Sequence, residues 1–106
     1  MTFPPPIQAY FDANARLDAG AMLAPFAADA VVRDAGHIRQ GKAAVRTWIE
    51  EASIKVPAIA SPATINAAGD LHDVTARVAG NFPGSPVTLA FRFRLDRGRI
   101  AELEIK

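Results

Sequence analysis

The stretch FAADAVVRDAGH, Phe26 to His37, decides how this chain is read. It opens like the end of a helix and continues as a strand, AVVRDA, over residues 30–35. In an extended chain alternate side chains share a face, so Ala30, Val32 and Asp34 look one way while Val31 and Arg33 look the other. If Ala30 and Val32 enter a core, Asp34 goes with them. A carboxylate there must be neutralised, paired or solvated by a cavity, because isolated burial is costly. The plainer reading places Asp34 at a strand end, bonded to the turn Ala35-Gly36. HIRQ, residues 37–40, is the hairpin return.

Upstream, Pro4, Pro5 and Pro6 end a short leader, and proline is tolerated in a first helical turn. IQAYFDANARLDAG follows with helical spacing, placing Ile7, Tyr10, Phe11, Asn14 and Leu17 on one stripe and Gly20 as its stop. AMLAPFA, residues 21–27, reads as a second short helix weakened by Pro25. Downstream of the hairpin, GKAAVRTWIEEASI is a third helix, with Ala44, Val45, Trp48, Ile49 and Ala52 recurring at three and four. Val56-Pro57 ends it.

Beyond Pro57 the period changes to two. PAIASPATINAA is a weak strand in which Pro62 marks a bulge or an edge. Gly69-Asp70 turns the chain. LHDVTARVAGNF alternates with Val74, Ala76, Val78 and Phe82 on one face and Asp73, Thr75, Arg77 and Asn81 on the other. After Pro83-Gly84-Ser85-Pro86, VTLAFRFRL points Val87, Leu89, Phe91, Phe93 and Leu95 inward. Asp96-Arg97-Gly98 leads into a last strand, RIAELEIK. Helices grouped before strands joined by short loops predict an α+β fold with an antiparallel meander.

A length of 106 residues suits one domain. Half the residues are hydrophobic, and the net charge of +1 attracts neither nucleic acid nor an anionic membrane. The basic residues are scattered and lack aromatic interleaving, which counts against a nucleic-acid surface. Without cysteine there is no disulfide, thiol nucleophile or zinc–thiolate site, and a cytoplasmic location is expected. MTFPPPIQAYF has neither a basic n-region nor a long apolar run, so it is not read as a signal peptide. No window approaches a membrane span. The GxGxxG, P-loop, HExxH, GxSxG and EF-hand patterns are absent.

Three features together resemble the nuclear transport factor 2-like superfamily, which includes the SnoaL-like polyketide cyclases and the ketosteroid isomerases. They are a first helix carrying Tyr10, the run from Phe26 through Asp34, and Gly41-Lys42-Ala43-Ala44-Val45 opening the third helix. The resemblance covers nearly the whole chain. It implies a strongly curved sheet wrapped around the helices as a cone, with an apolar pocket at its mouth. The ketosteroid isomerase pattern fits best over the first half. It implies Asp34 as a proton-shuttling base and Tyr10 as a hydrogen-bond donor to the developing oxyanion, facing each other across the pocket. It also implies Phe26 and Trp48 as pocket walls, with Val32, Phe82, Leu89 and Phe91 lining the same cavity. No cofactor and no metal are implied. Pairing of two copies through the outer sheet face, where Arg77, Arg92, Arg94 and Glu102 stand, is common in such domains. The sequence departs from the isomerases in three places. Leu89 stands where they carry a second, protonated acid, the loop after Asp34 is shorter, and the last strand carries no tail.

Each candidate has a plainer reading. Tyr10 and Trp48 are ordinary core aromatics. His37 is a rim histidine, and His72 is a locally bonded histidine near a turn. Asp29 caps or pairs where helix becomes strand, and Arg33 forms a surface ion pair. Three functions follow. The first is an isomerase or cyclase that removes a proton alpha to a carbonyl in a small apolar substrate. The second is a non-catalytic module that binds an apolar ligand or dimerises. The third is epoxide hydrolysis, ranked lower because the resemblance implies an Asp–Arg–Asp cluster inside the pocket for it, and Arg33 points away from Asp34's face.

Overall fold

The structure, a computed structural model, describes residues 2–106. Helix α1 runs Pro5–Ala15, α2 Ala19–Leu23 and α3 Lys42–Ile49, which continues as a π-helical turn over Glu50–Ile54. The strands are β1 Phe26–Asp34, β2 His37–Gln40, β3 Ala58–Ala68, β4 Leu71–Gly80, β5 Val87–Asp96 and β6 Arg99–Ile105. They form one six-stranded sheet in the order β2-β1-β6-β5-β4-β3. The run β3 to β6 is an antiparallel meander, and β6 then meets β1 in parallel. The sheet is curved. Its ladders slip between Phe26 and Val31, between Pro62 and Thr64 and between Arg94 and Leu95, and such slips bend a strand and increase its twist. Pro62 therefore marks both a bulge and an edge strand.

The first helix is shorter than its spacing predicts. It stops at Ala15, and Leu17 adopts a left-handed backbone with φ 53°. Asp18 then accepts the Ala21 N–H at 3.1 Å and starts α2 at Ala19, so Gly20 lies inside a helix instead of ending one. The second helix ends at Leu23, ahead of Pro25, and Phe26 already belongs to β1. The hairpin between β1 and β2 has Ala35 and Gly36 at φ 52° and 79°. That is the two-residue turn whose twist matches paired strands, and Gly36 adopts it without steric cost.

One apolar core fills the concave side of the sheet. Tyr10 sits among Phe11, Phe26 and Phe93 with ring centroids 5.2, 5.9 and 5.8 Å away, all edge-on, the arrangement aromatic quadrupoles favour. Ile7, Met22, Val32, Val45, Ile49, Val74, Ile100 and Leu103 complete it. The outer face is charged. Glu102 is held by Arg33 at 2.7 Å and Arg94 at 2.5 Å, and Asp73 by Arg92 at 2.8 Å. Arg33 is thus the surface ion pair its parity predicts. No helix among the described residues is long and apolar enough to cross a membrane.

Candidate functional site

Between α1, α3 and the inner sheet face lies a cavity of about 80 Å³. Tyr10 and Asn14 reach it from α1, and Asp34 from the end of β1. Trp48, Ala52 and Ser53 come from α3 and its π-helical turn. The sheet contributes Ala58, Ala60, Val78, Leu89, Phe91 and Ile105. Tyr10, Asn14 and Phe91 are buried, whereas Asp34, Ala52, Leu89 and Ile105 keep contact with solvent. The phenol therefore stands deep in the cavity and the carboxylate stands at its mouth.

Asp34 does face inward with Ala30 and Val32, and it is partnered. The Trp48 indole Nε1–H donates to Asp34 Oδ2 at 3.0 Å. This fixes one carboxylate oxygen and leaves the other without a bond to the described residues. Among the described residues Asp34 is the only charged side chain on the wall. The Tyr10 hydroxyl makes no hydrogen bond to the described residues. Burial raises its pKa above the ordinary value of 10.0, and the Asp34 carboxylate raises it further. Tyr10 is therefore a hydrogen-bond donor that does not give up its proton in ordinary solution.

Asn14 is a polar residue on an apolar helix stripe, and the structure shows what it does there. Its Nδ2 donates to the Ala58 carbonyl at 3.0 Å, and its Oδ1 accepts the Ala60 N–H at 2.7 Å. These groups point away from β4 on edge strand β3. The side-chain amide takes the place of one residue of a further strand, satisfying backbone groups that would otherwise be orphaned. The sequence offered the signal, an asparagine at helical spacing among Ile7, Tyr10 and Phe11, but not the partner strand.

Of the expected pocket residues, Trp48, Leu89 and Phe91 line the cavity alongside Tyr10 and Asp34. Phe26 and Val32 do not. Both are fully buried, Phe26 behind the ring of Tyr10 and Val32 in the close-packed core. Phe82 is also off the wall, because β4 ends at Gly80, whose N–H bonds the Ser85 hydroxyl at 2.9 Å. The alternation that carried Phe82 inward stops there. Ala52, Ala58, Ala60, Val78 and Ile105 also line the wall and carry no chemical signature that would single them out in sequence. Ser53 is the exception: its polarity on the buried side of the third helix was legible. It sits on a π-helical turn, an irregularity common at functional sites.

His37 is exposed on the hairpin and is the cross-strand partner of Asp34. His72 lies elsewhere, with Phe3, Pro4, Pro5, Ile65 and Ala67, and its Nδ1 is buried without a partner. Among the described residues no group of three or more His, Asp or Glu is placed to hold a metal ion.

The fold is that of solved nuclear transport factor 2-like and ketosteroid isomerase-like proteins. The model of the SnoaL-like domain matches residues 7–103, and the chain belongs to that family. A candidate polyketide cyclase from Sinorhizobium meliloti is 42% identical, with TM-score 0.93 over 98% of this chain and 95% of that one. A protein of ketosteroid isomerase-like fold from Catenulispora acidiphila, in complex with trimethylamine, is 20% identical. Its TM-score is 0.85 over 99% of this chain and 86% of the other. The epoxide hydrolase/cyclase-like enzyme SalBIII of salinomycin pyran-ring formation is 19% identical, with TM-score 0.83 over 95% and 86%. These last two likenesses concern the fold. Among curated proteins no sequence matches.

Proposed function

We propose that the protein binds a small carbonyl compound in this cavity and moves a proton alpha to the carbonyl, as an isomerase or cyclase. The observation that carries this reading is the placement of Tyr10 and Asp34 on the wall of one cavity. The free oxygen of Asp34 takes the proton from the alpha carbon. The C–H electron pair becomes the enolate, and Tyr10 donates a hydrogen bond to its oxygen. Because Tyr10 holds its own proton firmly, it stabilises the oxyanion without protonating it. Trp48 keeps the carboxylate aimed inward. In isomerisation Asp34 returns the proton to another carbon. In cyclisation the enolate carbon bonds to a second carbonyl carbon of the same molecule, and the resulting alkoxide takes the proton back. The likeness to the Sinorhizobium meliloti protein over nearly the whole chain favours cyclisation. Arg33, paired with Glu102 on the opposite face, speaks against epoxide opening at Asp34.

The test is deuterium uptake at the alpha carbon of a ketone in heavy water. Asp34→Asn is expected to lower the rate about 10²–10⁴-fold, the usual contribution of a positioned base. Full activity in a folded Asp34→Asn protein would refute the assignment. Leu89 supports a second reading. It puts a hydrocarbon on the wall where a second oxyanion donor would strengthen catalysis. In that reading the domain holds an apolar ligand without turnover, or pairs through its outer sheet face. It predicts ligand affinity indifferent to Asp34→Asn and no deuterium uptake.

A further inference from the structure

The cavity is small for the task just assigned. Its volume is about 80 Å³, roughly half of the ~150 Å³ apolar cavity that takes up benzene. A six-membered ring does not fit inside without displacing wall atoms. The walls that would have to move are the backbone-near side chains of Ala58 and Ala60 and the buried ring of Phe91, stacked at 6.3 Å on Phe93. Close-packed interiors resist such movement.

The polar groups are also ordered in depth. The buried phenol of Tyr10 lies inside, and Asp34 lies at the mouth with Ala52, Leu89 and Ile105. A carbonyl oxygen that reaches Tyr10 must be at the inner end of the ligand, and an alpha carbon beside Asp34 must be at the mouth. Atoms beyond that carbon then lie outside. His37, cross-strand partner of Asp34, shares its face of the hairpin and is exposed to solvent.

We infer that the site takes its ligand acyl end first: a ketone with one small alkyl group, such as a methyl ketone, whose larger body stays outside the mouth formed by Asp34, Ala52, Leu89 and Ile105. This rests on the reading of the cavity as a carbonyl site. It excludes compact ring ketones and ketones branched on both sides.

The experiment uses the full chain and two ketones of similar size and hydrophobicity. Benzylacetone has a small methyl side, and phenyl tert-butyl ketone has none. The single tryptophan gives one indole N–H resonance, which reports the mouth directly because it bonds Asp34. Benzylacetone is expected to shift that resonance saturably and to bind at least about tenfold more tightly than the branched ketone, the lower end of what a methylene-sized misfit gives in an apolar pocket. Leu89→Ala, which shortens a partly buried side chain at the mouth, is expected to narrow the difference. Equal affinity for the two ketones, or no shift of the Trp48 resonance with either, overturns the inference. Selective binding of benzylacetone without deuterium uptake overturns the catalytic reading and upholds this one.

Discussion

Replacing Asn14 with alanine removes the contact that ties the first helix to the free edge of the sheet. The amide satisfies two backbone groups, the Ala58 carbonyl and the Ala60 N–H, at 3.0 and 2.7 Å, and it is itself only 2% exposed. Each buried group left without a partner costs about 1–3 kcal/mol. Both lie on the cavity wall, where water can replace part of the loss, so the expected destabilisation is about 2–4 kcal/mol. For a domain of this size that lowers Tm by roughly 10–25 °C. Thermal and urea melts followed by circular dichroism, repeated at several protein concentrations, measure it. Hydrogen exchange of the Ala60 amide locates it, since that proton loses its acceptor. Asn14→Asp is a useful companion. It keeps an acceptor for Ala60 but turns an oxygen toward the Ala58 carbonyl, so it should destabilise as well. A fall in Tm below about 3 °C, with the Ala60 amide still protected, would refute the claim that Asn14 stands in for a missing strand.

Tyr10 is the only tyrosine, so phenolate absorbance reports it alone. Its native pKa lies above the 10.0 of the unfolded chain, chiefly through burial. The native state therefore keeps a proton that the unfolded state releases. The stabilisation is complete below about pH 10 and is lost as pH rises through the native value. Tyr10→Phe should remove this alkaline loss, while changing stability little at neutral pH because the hydroxyl has no bond to lose. If the native and urea-unfolded chains titrate together, the phenol is not buried as described. Trp48→Phe removes the donor to Asp34 Oδ2 and should cost about 1–2 kcal/mol, less than a fully buried bond to a charge because solvent reaches the mouth. An unchanged urea midpoint would count against that bond. Gly80→Ala should destabilise by at least about 1–3 kcal/mol, since a Cβ there overlaps the Pro57 carbonyl oxygen, which is backbone and cannot swing aside. A wild-type melt for this variant would mean the Pro57–Gly80 approach is looser than drawn.

Much of the architecture was legible because it follows from local rules. Alternation in VTLAFRFRL and LHDVTARVAGNF is a two-residue period that a half-buried strand satisfies, and both strands form there, the second stopping at Gly80. The turn residues between them fixed the meander. Element ends were less legible. Leu17 ends α1 because Asp18 begins another helix, a competition between two local signals that spacing does not weigh. Phe82 misled for a related reason, because alternation says nothing of where a strand stops.

The inward aim of Asp34 was set by parity with Ala30 and Val32, and Tyr10's place on the helix stripe by the 3.6-residue period. The sequence by itself determined those two directions, the α+β order and the charged outer face. Only the tertiary structure decided that the two directions meet in one cavity, that Trp48 anchors the carboxylate and that Asn14 completes an edge strand. It also decided that Phe26 and Val32 close the core behind the site instead of lining it. The physical reason is range. Periodicity assigns a side chain to a face through the geometry of its own backbone. Depth, volume and partner depend on elements such as β1, α3 and β3, which the curvature of the sheet brings together from distant parts of the chain.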